Sequence, residues 1–329
     1  MKAPKFWYKS LTLISLTLLP VMLLYYLLTK INQMIKSPYK SKVPVICIGN
    51  LTVGGTGKTP TTIVLVERLV SMGYKPHIIS RGYKGTELGP LRVDTKIHTV
   101  TQVGDEPLIL ATFAPTWVSK NKSNGIKVAV KEGADVIVLD DGLQNPSIYK
   151  DFSIITVDAK IGFGNGFLLP AGPLREPINT RLKNTNFLLS IGSVKDQNKF
   201  ISQYKHKLNK AKHIQAEIVP IETGMNWKGL RVLAFAGIGN PEKFFTSLHN
   251  LGATIVATKS LDDHQVFNKK ILSRLEIEAT QLNAQLVTTE KDAIRLPQEF
   301  RTNILSLPVR LKMKDWAQLE SAINILLKG

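Results

Sequence analysis

The run Val43-Pro-Val-Ile-Cys-Ile-Gly-Asn-Leu-Thr-Val-Gly-Gly-Thr-Gly57-Lys58-Thr59-Pro60 is the most informative part of this chain. Residues 43–48 are apolar and rich in β-branched side chains, at strand length. A glycine-bearing turn follows, then the helix-compatible stretch 59–72. Such a turn aims backbone N–H groups and the positive end of a helix at one point, where a phosphate binds. Lys58 then reaches the outer phosphates of a nucleoside triphosphate, and the Thr59 hydroxyl reaches magnesium. Pro60 suits a first helical turn, where no backbone donor is needed. The expected nucleotide-binding residues are Thr52, Val53, Gly54, Gly55, Thr56, Gly57, Lys58 and Thr59. Thr52 stands where the general loop pattern has glycine; Gly54 and Gly55 supply flexibility instead.

Downstream, the rhythm of strand, turn and helix repeats. Apolar runs at 77–80, 135–139, 153–157 and 186–190 read as buried parallel strands, with a helix at 125–132 between the early ones. A second series, 231–236, 254–258 and 285–289, follows a boundary near 222–228. Strands alternating with helices predict an α/β fold, P-loop NTPase-like, with a mostly parallel sheet flanked by helices and a second, smaller α/β domain. The expected divisions are an N-terminal helix (1–30), a nucleotide-binding domain (31–222) and the smaller domain (223–313), with a terminal helix at 314–328. Segments 215–221 and 304–311 read as extended and are expected to pair between the domains.

Residues 11–28 carry no charge and are flanked by lysines, and Phe6-Trp7-Tyr8 and Tyr25-Tyr26 mark the two ends. As one helix they would reach about 27 Å, just short of a hydrocarbon core of about 30 Å. A core helix or a cleaved leader are the alternatives; no small-residue cleavage site follows Leu28. The expectation is a hydrophobic membrane helix, spanning or dipping into one leaflet, with the body of the chain on the cytoplasmic side.

The formal charge is +18 in 329 residues, which points to nucleic acid, an acidic membrane surface or a phosphorylated substrate. Nucleic acid is the weakest of these, because the lysines are scattered and no aromatic-rich basic module appears. The single cysteine, Cys47, excludes an intramolecular disulfide and a thiolate metal cluster.

Val136-Ile-Val-Leu-Asp140-Asp141-Gly142 places carboxylates at a strand end, where they hold a nucleotide's metal, although Asp-Gly also marks ordinary turns. Gly104-Asp105-Glu106-Pro107 reads on spacing alone as a helix start with capping acids, an acidic site being the alternative. His264 follows Asp262-Asp263 and reads either as an oriented base or as a surface histidine. Arg175 lies in the proline-bounded Gly172-Pro-Leu-Arg175-Glu176-Pro177, suited to a phosphate clamp.

Taken together, Gly49 to Pro60, Ser80-Arg81-Gly82-Tyr83, Gly104 to Pro107, Asp140-Asp141-Gly142, Gly164-Asn165-Gly166, Leu169 to Glu176, Asp263-His264 and Thr289-Glu290-Lys291-Asp292 resemble the tetraacyldisaccharide 4′-kinases, in that family's order. The resemblance implies a membrane-associated, ATP- and Mg2+-dependent kinase of lipid A biosynthesis, with its site in a cleft that the smaller domain closes. Its acceptor would be the 4′-hydroxyl of an acylated glucosamine disaccharide 1-phosphate, and its place the cytoplasmic face of a Gram-negative inner membrane. By motif match, Asp105 takes the acceptor's proton with His264 in support, and Lys58 and Arg175 stabilise phosphate charge. Thr59, Glu106, Asp140 and Asp141 would hold Mg2+, and an anionic membrane surface would be a partner. One departure stands out: Asn145 follows Gln144 where the family pattern has histidine, and asparagine cannot titrate. The rival reading is a membrane-tethered P-loop NTPase acting as a switch or assembly factor.

Overall fold

The computed structural model describes residues 3–208, 211–263 and 265–328. The apolar N-terminal stretch does not form the single membrane helix its composition predicts. It divides into α1 (Leu13–Thr17), capped by the Thr12 hydroxyl, and α2 (Leu19–Ile35). The division falls at Leu18, and Pro20 sits in the first turn of α2, where its missing N–H is tolerated. The second helix then runs on into the polar residues Lys30, Asn32 and Gln33. Among the described residues, no helix is long and apolar enough to cross a membrane. One face of α2, with Met22, Tyr25 and Tyr26, packs on the core, while Leu23, Leu24, Leu27, Leu28 and Ile31 lie exposed.

The chain divides into two compact units, one of Ala3–Ile218 with Leu311–Gly329, the other including Val219–Arg310. In the larger unit the elements run β1 (Val45–Asn50), α3 (Lys58–Ser71), β2 (Pro76–Ser80), β3 (Leu91–Arg92), α4 (Val100–Val103), α5 (Asp105–Leu110), β4 (Thr116–Val118) and α6 (Lys122–Lys131). They continue as β5 (Val136–Asp140), β6 (Phe152–Asp158), α7 (Ile178–Lys183), β7 (Phe187–Ile191), α8 (Val194–Leu208) and β8 (Lys212–Pro220).

The smaller unit runs β9 (Arg231–Ala236), α9 (Pro241–Asn250), β10 (Thr254–Ser260), α10 (Lys269–Gln281), β11 (Gln285–Thr289), α11 (Glu290–Ala293) and β12 (Ile304–Leu307). Its four strands are ordered β10-β9-β11-β12 and pair in parallel. The chain ends with β13 (Val309–Met313) and α12 (Ala317–Lys328). The extended segment 304–311 therefore splits at Pro308, which has no N–H to give a ladder. Its first part joins the smaller sheet beside β11, and its second flanks β8.

The larger sheet has the order β13-β8-β7-β6-β1-β5-β2-β4-β3. Every pairing from β8 through to β4 is parallel. Strands 1, 2, 5, 6 and 7 are buried along their whole length, as a parallel sheet covered on both faces requires. Helix α12 lies on this unit, where Glu320 pairs with Arg68 of α3. Strand order reverses at β1, so ligands of this fold belong at the carboxyl ends of β1 and its neighbours.

Candidate active site

Register places the site. Ile48 of β1 is opposite Asp140 of β5, so the glycine-rich loop and the paired aspartates leave the sheet side by side. Gly49 is obligatory there, because an added Cβ would sit 2.5 Å from Leu143 Cβ. Gly57 ends the loop at φ +86° and caps α3. The Asn50 amide braces the loop by donating to the carbonyls of Thr52 (2.7 Å) and Gly54 (3.2 Å). Thr56 is buried, its hydroxyl 2.8 Å from that of Thr156. Thr52 takes an extended, bridge-forming place against Leu174, and this explains why glycine is not needed at that position.

Lys58 and Thr59, at the head of α3, face the acids. The Lys58 ammonium lies 3.8 Å from Asp141 Oδ2, and the Arg175 guanidinium lies 3.6 Å from the same oxygen. Thr59 Oγ1 approaches Glu106 Oε1 at 3.4 Å. Asp105, only 3% exposed, accepts from the Glu106 backbone N–H at 3.0 Å and heads the short helix α5. Ser80 donates to Asp140 Oδ2 at 3.2 Å. The structure thus gathers Lys58, Thr59, Glu106, Asp140, Asp141 and Arg175, with Asp105 next to Glu106. His264 lies outside the described residues.

Charge in this cluster is unevenly distributed. Burial, then the neighbouring Glu106, pushes Asp140 up to about 7. Burial also acts on Asp141, but Lys58, Arg175 and Lys122 outweigh it and hold that carboxyl below the usual range. Asp140 Oδ1 and Asp141 Oδ1 are both buried and have no hydrogen-bond partner among the described residues. Such orphaned oxygens are costly unless something positive meets them. Among the described residues, no group of three or more His, Cys, Asp or Glu side chains is arranged as a metal cage. A few hard oxygen donors without a cage fit magnesium, which keeps waters and binds through one or two carboxylates plus phosphate.

Further residues support the cluster, and one of them, Lys122, carries no sequence signal. Lys122, at the start of α6, is buried and donates to the Asp140 and Asp141 carbonyls at 2.5 and 3.1 Å. It sits under a residue strained into the left-handed region, since Asp141 has φ +48°. Gln144 donates to the Asn50 carbonyl at 2.8 Å and accepts from Arg175 at 3.3 Å. Asn145 instead builds a turn: its side chain accepts from the Ser147 N–H and hydroxyl, and its carbonyl accepts from Lys150. Glu176 is held by a two-pronged contact with Arg181, both bonds 2.9 Å, which leaves Arg175 as the cation facing the aspartates.

In the smaller unit, Thr289 caps α11 and also donates to the buried Asp292, which accepts from the Gly237 N–H and from Arg295. Arg295 in turn donates to the carbonyls of Gly237 and Gln265. The motif Thr289 to Asp292 is therefore a fastener for the loops after β9 and β10.

The sheet order and the loop on β1 define an α/β protein of the P-loop class. Comparison with known proteins narrows this. The family model for tetraacyldisaccharide-1-P 4′-kinases matches residues 14–328, and the chain belongs to that family. A tetraacyldisaccharide 4′-kinase of Jannaschia sp. (strain CCS1) is 46% identical over 327 residues, 99% of each chain. That of Dinoroseobacter shibae is 45% identical over 329 residues, 99% of this chain and 98% of its own. An LpxK from Aquifex aeolicus, crystallised in complex with ATP, shares the fold with a TM-score of 0.74. It is 24% identical, with 96% of this chain and 100% of that one aligned.

Proposed function

We propose that this protein is an ATP-dependent kinase that transfers the γ-phosphate to the 4′-hydroxyl of a tetraacyldisaccharide 1-phosphate, the step giving lipid IVA in lipid A biosynthesis. The observation that carries the reading is the convergence of Lys58, Thr59, Glu106, Asp140, Asp141 and Arg175 at the ligand end of the larger sheet, in a member of this family. Phosphoryl transfer asks a protein mainly for positioning and charge neutralisation, and this cluster supplies both.

In this reading residues 52–59 wrap the phosphates, with Lys58 on the outer ones. Mg2+, when bound, neutralises phosphate charge, and Thr59, Glu106, Asp140 and Asp141 are the residues that would hold it. Asp105 accepts the proton of the acceptor hydroxyl as its oxygen forms the new bond to phosphorus and ADP departs. His264 keeps the supporting role that the resemblance gives it. Arg175 offsets the charge spread over the transferring group.

The acceptor is a membrane lipid. The exposed leucines of α2, together with the +18 charge, fit attachment to an anionic membrane surface from one side. The cytoplasmic face of a Gram-negative inner membrane is the location that ATP chemistry and this substrate require. The deciding experiment incubates purified protein with labelled [γ-32P]ATP, Mg2+ and the acylated disaccharide 1-phosphate. Label in the lipid is the expected result. ATP hydrolysis with no labelled lipid would return the rival switch-NTPase reading.

A further inference from the structure

Arg175 is fixed through its backbone as well as its side chain. Its N–H donates to the Leu51 carbonyl at the mouth of the phosphate loop, at 2.7 Å. Its carbonyl accepts from the Tyr25 hydroxyl of α2 at 3.2 Å. One residue earlier, Leu174 bridges Thr52, and Pro173 accepts from the Val53 N–H at 2.9 Å. The segment that carries Arg175 is thus laced to the nucleotide loop on one side and to the N-terminal helices on the other.

The lacing continues upstream. Asn165 receives its backbone partner from Trp7, donating to that carbonyl at 2.8 Å. Its side-chain amide donates to the Ala171 carbonyl at 3.0 Å and to the Ser15 hydroxyl of α1 at 3.3 Å. The Trp7 indole donates to the Pro170 carbonyl at 3.0 Å. There is no slack: a Cβ on Gly164 would meet Trp7 O at 2.6 Å and Pro173 Cγ at 2.5 Å. Tyr25 meets Arg175 at its backbone carbonyl rather than at its guanidinium. Asn165 bonds Trp7, Ser15 and Ala171, so these contacts hold the segment and are not themselves phosphate contacts.

We infer that Tyr25 and Asn165 are positioning residues for Arg175, so that the N-terminal helices form part of the frame that aims its guanidinium. The physical reason is leverage. A guanidinium 3.6 Å from Asp141 and 3.3 Å from Gln144 is aimed only as well as its peptide is held, and a misplacement near 1 Å costs up to about a hundredfold in rate. This inference rests on the kinase reading above and adds to it a function for the N-terminal helices.

The test is a double-mutant cycle on the full-length enzyme, with Tyr25→Phe, Arg175→Ala and the pair, and Asn165→Ala as a second probe. Tyr25→Phe keeps the ring and removes one hydrogen bond, so a loss of about three- to tenfold in kcat is expected, with the KM values for ATP and lipid unchanged. In the Arg175→Ala background the same change is expected to cost nothing further, because the group it aims has gone. Asn165→Ala should behave likewise. Undiminished kcat in Tyr25→Phe would overturn the inference, and so would an equal loss with and without Arg175. A raised lipid KM at constant kcat would also overturn it, by assigning Tyr25 to lipid docking. Failure of the kinase reading is separable, since wild-type protein would then label no lipid at all.

Discussion

Lys58 Nζ stands 3.8 Å from Asp141 Oδ2, and Arg175 approaches the same oxygen at 3.6 Å. A carboxylate shared by two cations holds both of them ready for a more highly charged anion. When a triphosphate arrives, the lysine exchanges a partly exposed ion pair, worth little in itself, for contact with phosphate. The arrangement neutralises the site's cations without locking them in place.

Replacing Lys58 with alanine removes that contact and leaves Asp141 with Arg175 alone. Loss of a preorganised donor of this kind typically lowers kcat by about 10²–10³-fold. The expected result for Lys58→Ala is at least that loss in labelled-phosphate transfer, with unfolding unchanged in urea. Transfer at the wild-type rate would remove the loop from the mechanism.

Asp105 tests the chemistry separately from binding. As a general base its removal costs about 10²–10⁴-fold. Asp105→Asn keeps the shape and the acceptor oxygen for the Glu106 N–H. The rate should therefore collapse while nucleotide affinity, measured by calorimetry with a non-hydrolysable analogue, stays near wild type. A defect confined to nucleotide affinity would exclude the base role.

The parts of this site that could be read in the sequence are those with a periodic signal. Residues 43–59 and 136–142 announce themselves because apolar runs end in residue types that only phosphate or metal chemistry brings together. Lys122 does not, because a lysine at a helix start is ordinary until the chain folds it beneath the Asp140 and Asp141 carbonyls. Tyr25 and Asn50 likewise act through contacts across the fold, which spacing cannot show. The N-terminal expectation failed for a local reason: hydropathy summed over 11–28 ignores the break at Leu18, and Pro20 can only begin a helix. The split at Pro308 escaped for the same reason, since an extended run does not state which sheet it joins.

Asp140 gives the metal-free protein a characteristic pH dependence. Its carboxyl titrates near 3.8 when unfolded and at about 7 in the fold, so the native state holds a proton that the unfolded chain has released. Stability from this group is fully present below its unfolded value and is lost as pH rises through about 7. Asp140→Asn removes the dependence. In chelator, its urea midpoint should match wild type at about pH 4 and exceed it increasingly up to about pH 8. A constant difference across that range would show that Asp140 does not titrate there.

The buried Asp292–Arg295 pair is expected to govern the stability of the smaller unit. Both side chains are almost wholly enclosed, at 0% and 4% exposure. Arg295→Met leaves Asp292 buried with, among the described residues, Thr289 and the Gly237 N–H as its remaining hydrogen-bond partners. Breaking such a pair from one side typically costs about 3–5 kcal/mol. Hydrogen exchange across β9 and β11 would report it, with Asp292→Asn, Arg295→Met recovering part of the loss because no unpaired charge remains. Equal protection in wild type and Arg295→Met would contradict this account.

The exposed face of α2 yields the last prediction. Leu24, Leu27 and Ile31 are 57, 49 and 51% exposed, on the side opposite Met22, Tyr25 and Tyr26. Because that second set already anchors the helix to the protein, changing the first set should leave folding intact. Each large aliphatic side chain gains about 1.5–3 kcal/mol on leaving water, so losing all three should weaken membrane partitioning by more than about a hundredfold. The triple variant Leu24→Glu, Leu27→Glu, Ile31→Glu should therefore float free of vesicles containing anionic lipid while wild type sediments with them. Its transfer to substrate presented in detergent micelles should remain, because the Tyr25 contact to Arg175 is untouched. Equal sedimentation of the two proteins would mean that another surface holds the enzyme to its lipid.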